Sequence, residues 1–529
     1  VSAGSGNDSL EDTPTNNFPT LNPLTGYLTN FETPSNGNLD FSLGSDEFAF
    51  SSFTIPSSGK WYTEILFTTI ASGRCGVTNY SFKNTSKWLG IGLVNDGGIR
   101  VDDSEVQSGL GTLSSNDVVG IKVDRDAGTI AFTVNGSAKG TAVNLSGMNK
   151  PVENLVFEIG RNSSGGSDPV GSINFGQRPF SNLPTGYKAL CSANLPNPTI
   201  LLPNKHFDTL LYTANGGTQN ITGLNFDPDW VWGKARTSAN YHDLYDTVRG
   251  DNLRVFSNDT NTEASGFLQF GVTGGFALSA GGNINDGTDS VVAWNWNGGG
   301  STVTNNDGSI SSQVRANTSA GFSIVSYEGT GSLATVGHGL GVKPDAMIFK
   351  NRDQGHGWLV YHSSLGATKN LGLNTTSAAA TASNKFNDTE PTSTVFTVNT
   401  AADSNQSGQS IIAYCFSEVA GYSKFGSYTG NGSSDGTFVF LGFRPAFVII
   451  RRIDSGYSWY LIDNKRDPVN PVHENLYAND TITTYDYTVG DFLSNGIKFR
   501  NTGSDTNSSG ATMIYLAFAE SPFKNSRAR

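Results

Sequence analysis

The sequence predicts an all-β protein, an N-terminal β-sandwich followed by three homologous β-rich repeat units. Three observations predict it. Asp, Glu, Lys and Arg make up only 15% of the 529 residues, well below the roughly 25% of an ordinary globular chain. Their place is taken by 63 glycines and by abundant Asn, Ser and Thr, residues that favour turns and strands over helices. Finally, short alternating runs separated by turn signals fill the first part of the chain, and one longer pattern recurs three times in the rest. Adding the glycines to a hydrophobic fraction of 36% gives a normal apolar content, which excludes a disordered or collagen-like chain. The length is too great for one compact core, so several domains are expected.

Charge and hydropathy narrow the function classes. With 34 Lys and Arg against 46 Asp and Glu, the net charge is −12. A nucleic-acid partner, which calls for a basic stripe, is therefore not expected, nor is docking on an anionic membrane. Membrane insertion is not expected either, because no apolar run reaches the roughly 18–20 residues of a spanning helix. The best run, Phe438–Ile450, is interrupted by Arg444 and Pro445. The N-terminus has neither the basic start nor the apolar stretch of a signal peptide. It also lacks Met, so a processed product or a fragment is expected. Cys75, Cys191 and Cys415 form no close pair and read as small buried hydrophobes.

After a lead-in over residues 1–40, the sandwich occupies 41–195. Alternating runs lie at Trp61–Phe67, Trp88–Leu93, Val118–Val123 and Thr129–Val134. Ser58-Gly59, Asp96-Gly97-Gly98, Asp126-Ala127-Gly128 and Asn135-Gly136 separate them. Strands at this spacing point to a sandwich with one wet face per sheet, and Asp124–Thr129 reads as a hairpin. The ordered strings KWYTEI, WLGIGL, DVVGIKVDRDAGTIAFTVNG and INFGQRPF resemble a SPRY domain, a concanavalin-like sandwich. That resemblance implies a binding module whose loops choose the partner.

From about Leu201 onward three segments can be laid over one another: Gly223–Arg236, Gly339–Arg352 and Leu441–Asp454. Their prolines, Pro228, Pro344 and Pro445, give periods of 116 and 101 residues. Six positions after each proline stands a cation, Lys234, Lys350 or Arg451, and twelve further a polar residue, Asp246, His362 or Asp463. The openings Phe207–Gly216, Phe322–Gly331 and Phe425–Gly432 match, as do the closings Ser290–Trp296, Ser410–Phe416 and Thr512–Phe518. From proline to closing aromatic the offsets are 68, 72 and 73 residues, so the hairpins agree and length changes fall in turns. The repeats occupy 196–300, 301–421 (with a linker at its start) and 422–529. In each, proline is expected at the strand's beginning, where its missing N–H is harmless. The cation is expected to meet solvent at the strand's end, and the spacing of twelve allows it to approach the later polar residue across the hairpin.

The strings HFDTLLYTANGG, PDWVWGKAR, AWNWNGGG, GFSIVSYEGTG, VGHGLGVKPD and LAFAESPFK resemble a repeat module of bacteriophage virion proteins, found in tail fibres and other host-contact proteins. Asp12–Leu24 is similar to the lead-in such proteins place before a SPRY-like domain. The resemblance implies virion association, outside the cell, with other virion proteins and a host-surface glycan or protein receptor as partners. Homotrimerisation is implied by what phage fibres usually do.

Enzyme signatures are absent: no Gly-x-Ser-x-Gly elbow, zinc helix or Walker loop occurs. Two carboxylates suffice for glycoside hydrolysis, but no pair singles itself out. Asp102, Asp103 and Glu105, and likewise Asp286 and Asp289, read as solvated turns. Asp259–Glu263 lacks the central Gly of an EF-type loop. No catalytic residue, metal site or cofactor is expected. His356 and His362 flank one strand, but the aligned positions in the other repeats are not His, so no shared metal site follows. Trp230, Trp232, Trp294, Trp296, Trp358 and Trp459 read as core. Tyr241 and Tyr457 fall in hairpin turns, where an aromatic face and a hydroxyl suit a sugar. With His242 and His356 they are the candidate ligand-binding residues. The expected function is a non-enzymatic virion adhesin, with a head or neck decoration protein and a depolymerising tailspike as alternatives.

Overall fold

The computed structural model describes residues 16–22, 34–44, 47–79, 89–149, 152, 154–161 and 167–525. Trp88 and, in the lead-in, Asp12–Thr15, Pro23 and Leu24 lie outside them. The chain divides into an N-terminal domain, Val1–Asn197, and a C-terminal domain, Pro198–Arg529. Both are built of antiparallel sheets, with Lys188–Ala189 adding a short parallel pairing to Lys60–Thr69. No described helix is long and apolar enough to cross a membrane.

The N-terminal domain is a two-sheet sandwich. One sheet runs in the order Asp40–Ser42, Val170–Asn174, Lys60–Thr69, Val118–Asp124, Thr129–Val134, Ser137–Asn144. The other runs Phe48–Phe50, Leu155–Arg161, Gly73–Asn79, Ile91–Val94, Ile99–Val101, Ser104–Gln107. The Asp124–Thr129 hairpin forms with those two residues opposite each other. Asn135 and Gly136 both adopt positive φ, 49° and 82°, as a two-residue hairpin turn requires. The expectation of one wet face per sheet fails in the second sheet. Gly73–Asn79 and Leu155–Arg161 are buried along their whole lengths. Phe48 of the edge strand lies over the Arg74 guanidinium, itself paired with Glu158 at 3.3 Å. The described lead-in packs on this domain: Phe18 and Leu21 are buried, and Asn17 and Ser192 exchange two 2.8 Å hydrogen bonds.

In the C-terminal domain the three repeats share one strand order. The first sheet runs Phe207–Thr213, Ser290–Trp296, Trp230–Ala235, Asp243–Asp246, Leu253–Phe256, Ala264–Ser265. The second runs Phe322–Glu328, Ser410–Phe416, Ala346–Asn351, Leu359–His362, Lys369–Gly372, Ala380–Thr381, and Val303–Asn305 and Ser312–Asn317 extend its other edge. The third runs Ser423–Thr429, Thr512–Pro522, Phe443–Arg452, Tyr460–Asp463, Val472–Tyr477, Tyr485–Leu493. The closing strands are near-continuous apolar runs because both of their faces are buried.

Odd and even positions of those strands serve different cores. Val292, Trp294 and Trp296, their counterparts Ile412, Tyr414 and Phe416, and then Ile514, Leu516 and Phe518, all enter a single cluster common to the three repeats. The intervening residues pack outward under each repeat's own smaller sheet, as Val291 and Ala293 do in the first. Trp296, Phe416 and Phe518 touch pairwise, with ring centroids 5.6–6.5 Å apart. Equivalent residues meeting one another place a pseudo-threefold axis through this aromatic layer.

Three expectations need correction. Pro228 and Pro344 precede their strands, but Pro445 lies inside Phe443–Arg452, at a bulge where the register against Thr512–Pro522 shifts. A bulge tolerates proline because the ladder is already interrupted there. Lys234, Lys350 and Arg451 do not meet solvent; all three are 0% exposed. Nor does spacing of twelve bring cation and polar residue together. Trp230 sits opposite Asp246 and Ala346 opposite His362, so the polar residue lies at the strand's start and the cation at its far end.

Candidate functional site

Because equivalent closing-strand residues stack layer on layer, the three central hairpins turn at the same end of the C-terminal domain. Each turn is gripped by the preceding repeat in the cycle. Glu263 N–H donates to the Arg352 carbonyl at 2.7 Å, Ala379 N–H to Ile453 at 2.8 Å and Thr484 N–H to Arg236 at 2.8 Å. Behind each arch stands an asparagine. The Oδ1 atoms of Asn258, Asn374 and Asn479 accept the backbone N–H of His242, Trp358 and Trp459 at 3.0, 2.9 and 2.8 Å. The indole N–H groups then cross to a neighbour, Trp358 to the Phe256 carbonyl at 2.7 Å and Trp459 to that of Gly372 at 2.9 Å. One end of the domain is thus a ring of three turns alternating with three arches.

The buried cations hold this ring from within. Lys350 Nζ donates to the carbonyls of Asn351 (2.7 Å), His356 (3.0 Å), Thr260 (3.2 Å) and Gln354 (3.5 Å). Lys234 Nζ reaches Ala235 and Ser238, and an Arg451 Nη reaches the Ser377 carbonyl at 2.6 Å. Burial pushes both lysines down to about 8 and Arg451 to about 10. Carbonyls take up donors of the two buried ammonium groups, and the Arg451 guanidinium lies 5.7 Å from the Trp459 ring centroid, so these cations are scaffold rather than ligand contacts.

The four candidate residues part company here. Tyr241 is 38% exposed, its ring 5.3 Å from that of Phe256, and a hydrogen bond with Asp259 raises its hydroxyl's pKa. His356 is half-buried, with Nε2 2.7 Å from Gln406 Oε1. Tyr457 is half-buried beneath the Arg452 guanidinium, 4.8 Å away. His242 is a correction: it is fully buried, where the other repeats carry Trp358 and Trp459, and its Nδ1 accepts the Trp232 indole N–H at 2.9 Å. Burial, reinforced by Lys234, holds its pKa well below the ordinary value. Tyr241, His356 and Tyr457 therefore stand on one ring of turns, one from each repeat. The six tryptophans read as core are all buried. The cysteines are free and buried. Among the described residues no cluster of His, Cys, Asp and Glu is placed to hold a metal ion.

Sequence reasoning missed the interlocking asparagines, although Asn258 and Asn374 each follow their repeat's polar marker by twelve residues. It also missed Asn285, Asn405 and Asn507, each fully buried, whose Oδ1 atoms accept the N–H groups of Asn215, Thr330 and Asn431. In a chain so rich in Asn, only a threefold comparison would separate these from turn residues.

Two solved structures are similar to parts of the chain. The SPRY domain of human HERC1 is 13% identical, covering 31% of this chain and 95% of that one, with a TM-score of 0.23. Stonustoxin is 11% identical over 27% of this chain, with a TM-score of 0.21, and the match spans 28% of its length. No curated protein matches the sequence. The model of one family matches residues 202–522, the three repeats almost from end to end, and the chain belongs to that family, described as a domain of unknown function (DUF7483).

Proposed function

We propose that the chain is a structural protein of a bacteriophage particle, a tail fibre or related adhesin that contacts a glycan or protein on the host surface. The observation that carries the reading is the ring of turns. A single interlocked core sets Tyr241, His356 and Tyr457 on three equivalent turns at one end. Binding loops on a rigid support lose little conformational entropy when they engage a partner. Three such turns per chain, and several chains per particle, would multiply weak contacts into avidity. The resemblance of the repeat strings to those of phage host-contact proteins supports the same reading. The threefold arrangement that separate fibre chains would supply is made here by one chain, and sedimentation equilibrium tests whether the chain also trimerises.

The test is to label particles of the encoding virus with antibody against this chain and to compete adsorption with the purified protein. Labelling of the tail or its appendages, with adsorption blocked, supports the reading. Labelling of the head alone, without competition, favours a decoration protein. Oligosaccharide released from host polysaccharide, and lost on a single Asp or Glu change, would favour a depolymerase.

A further inference from the structure

The third repeat carries a feature that its siblings lack. Where the first repeat pairs Arg254 with Ala264 and the second pairs Asn370 with Ala380, the third pairs Asn475 with Tyr485. Two residues on, Gly266 and Ala382 give way to Tyr487. A scaffold that closes twice with small residues at these places does not need aromatic rings there.

Those rings continue a row. Tyr460 and Tyr477 have centroids 4.7 Å apart, Tyr477 and Tyr485 6.5 Å, and Tyr485 and Tyr487 6.3 Å with planes only 17° apart. Exposure grows along it, from buried Tyr460 to Tyr485 at 49%. A carboxylate flanks the row: Asp505 accepts the Tyr460 hydroxyl at 2.6 Å, and that hydroxyl accepts from Tyr477 at 3.1 Å. A methyl group at Gly503, two residues before Asp505, would come within 2.5 Å of the Tyr487 hydroxyl. Ring faces and an acidic acceptor thus meet on one surface.

We propose that this row is a sugar-binding site, taking the C–H face of a neutral hexopyranose against Tyr485 and Tyr487 and its hydroxyls to Asp505. The negative π face of a tyrosine attracts the polarised C–H bonds of a sugar, and an amphipathic ring suits an amphipathic ligand. Nearly parallel neighbouring rings offer a platform for a flat ligand, whereas a quaternary ammonium group calls for rings facing it from several sides. The site gives the host-contact reading a ligand class and rests on that reading for its biological setting.

The experiment is saturation-transfer NMR on the whole chain with methyl glucoside, methyl galactoside, methyl N-acetylglucosaminide and choline, alongside host-cell binding. At least one glycoside binds, and Tyr485→Ala weakens it about tenfold with an unchanged Tm, since alanine is native at this position in both other repeats. Asp505→Asn weakens it as well. No glycoside binding, binding indifferent to Tyr485→Ala, or binding of choline alone overturns the site. Cell binding by a wild-type chain that takes up none of the glycosides overturns the site and leaves the host-contact reading standing. Glycoside affinity that depends on Tyr485, in a protein that binds no host cell, upholds the site and overturns that reading.

Discussion

Tyr414 of the second repeat donates its hydroxyl to the Asp246 carboxylate of the first at 2.8 Å, and neither residue has any exposed surface. The same carboxylate pairs with Arg249, whose guanidinium also donates to the Leu244 carbonyl at 2.8 Å. The third repeat repeats the device: Asp463 pairs with Arg466 at 2.6 Å and accepts the Trp294 indole N–H from the first at 3.1 Å. The second repeat varies it. There the facing closing strand offers Leu516, which has no donor, and the marker is His362 rather than Asp. His362 Nδ1 accepts the Ser364 N–H at 3.1 Å, so Nε2 carries the proton and donates to the Tyr515 carbonyl at 3.2 Å. Leu365 replaces the arginine, as the change of charge demands. An acceptor faces each donor, and a donor faces the place where none is offered.

Asp246→Asn should therefore be costly. It takes from the buried Arg249 the nearer of its two carboxylates, leaving Glu263 at 3.2 Å, and should cost up to about 3–5 kcal/mol. Tyr414→Phe removes one neutral donor and should cost about 1–2 kcal/mol. Urea unfolding of both variants and of the double variant checks this; Tyr414→Phe should cost less in the Asp246→Asn background than alone.

His362 sets an acid limit. Burial lowers its pKa to about 4 in the folded chain, against about 6.5 when unfolded. Between those values the unfolded chain binds the extra proton, so this stability is complete above pH 6.5 and is lost as pH falls toward 4. His362→Gln keeps a donor for the Tyr515 carbonyl without titrating. From pH 7 to pH 4.5 the wild type should lose about 2–3 kcal/mol more than the variant, read from urea midpoints.

The arches should be equivalent in energy as well as in place. Asn258→Ala, Asn374→Ala and Asn479→Ala each leave one hairpin N–H without its acceptor and should each cost about 1–3 kcal/mol. Denaturant titration of the three single variants checks this; a neutral change at any one would show that its arch does not grip.

Repeats stacked in a row unfold piecemeal, but repeats closed about one core cannot. Phe416→Ala, at the aromatic layer, should cost about 3–5 kcal/mol. In hydrogen exchange it should speed the closing strands Ser290–Trp296, Ser410–Phe416 and Thr512–Pro522 equally. Acceleration confined to Ser410–Phe416 would show independent repeats.

Much of this was legible along the chain. Alternation and turn residues are local properties, so the strands around Trp61, Val118 and Thr129 and the three copies of one unit could be read directly. Tryptophans in an apolar run have few places to go but the core, and Trp230, Trp294 and Trp358 went there. The markers Lys234 and Asp246 were visible as a pattern, but their roles were not, because each is defined by groups elsewhere in the fold.

By itself the sequence determined strand content, repeat number and equivalent positions, since these follow from side-chain period and spacing. Only tertiary structure decided that the three sheets share one core, that Lys350 is caged by carbonyls from two repeats, and that Tyr460, Tyr477, Tyr485 and Tyr487 line up. The physical reason is that burial and pairing are relations between distant segments, and a residue's chemistry acquires its meaning from what the closed fold places against it.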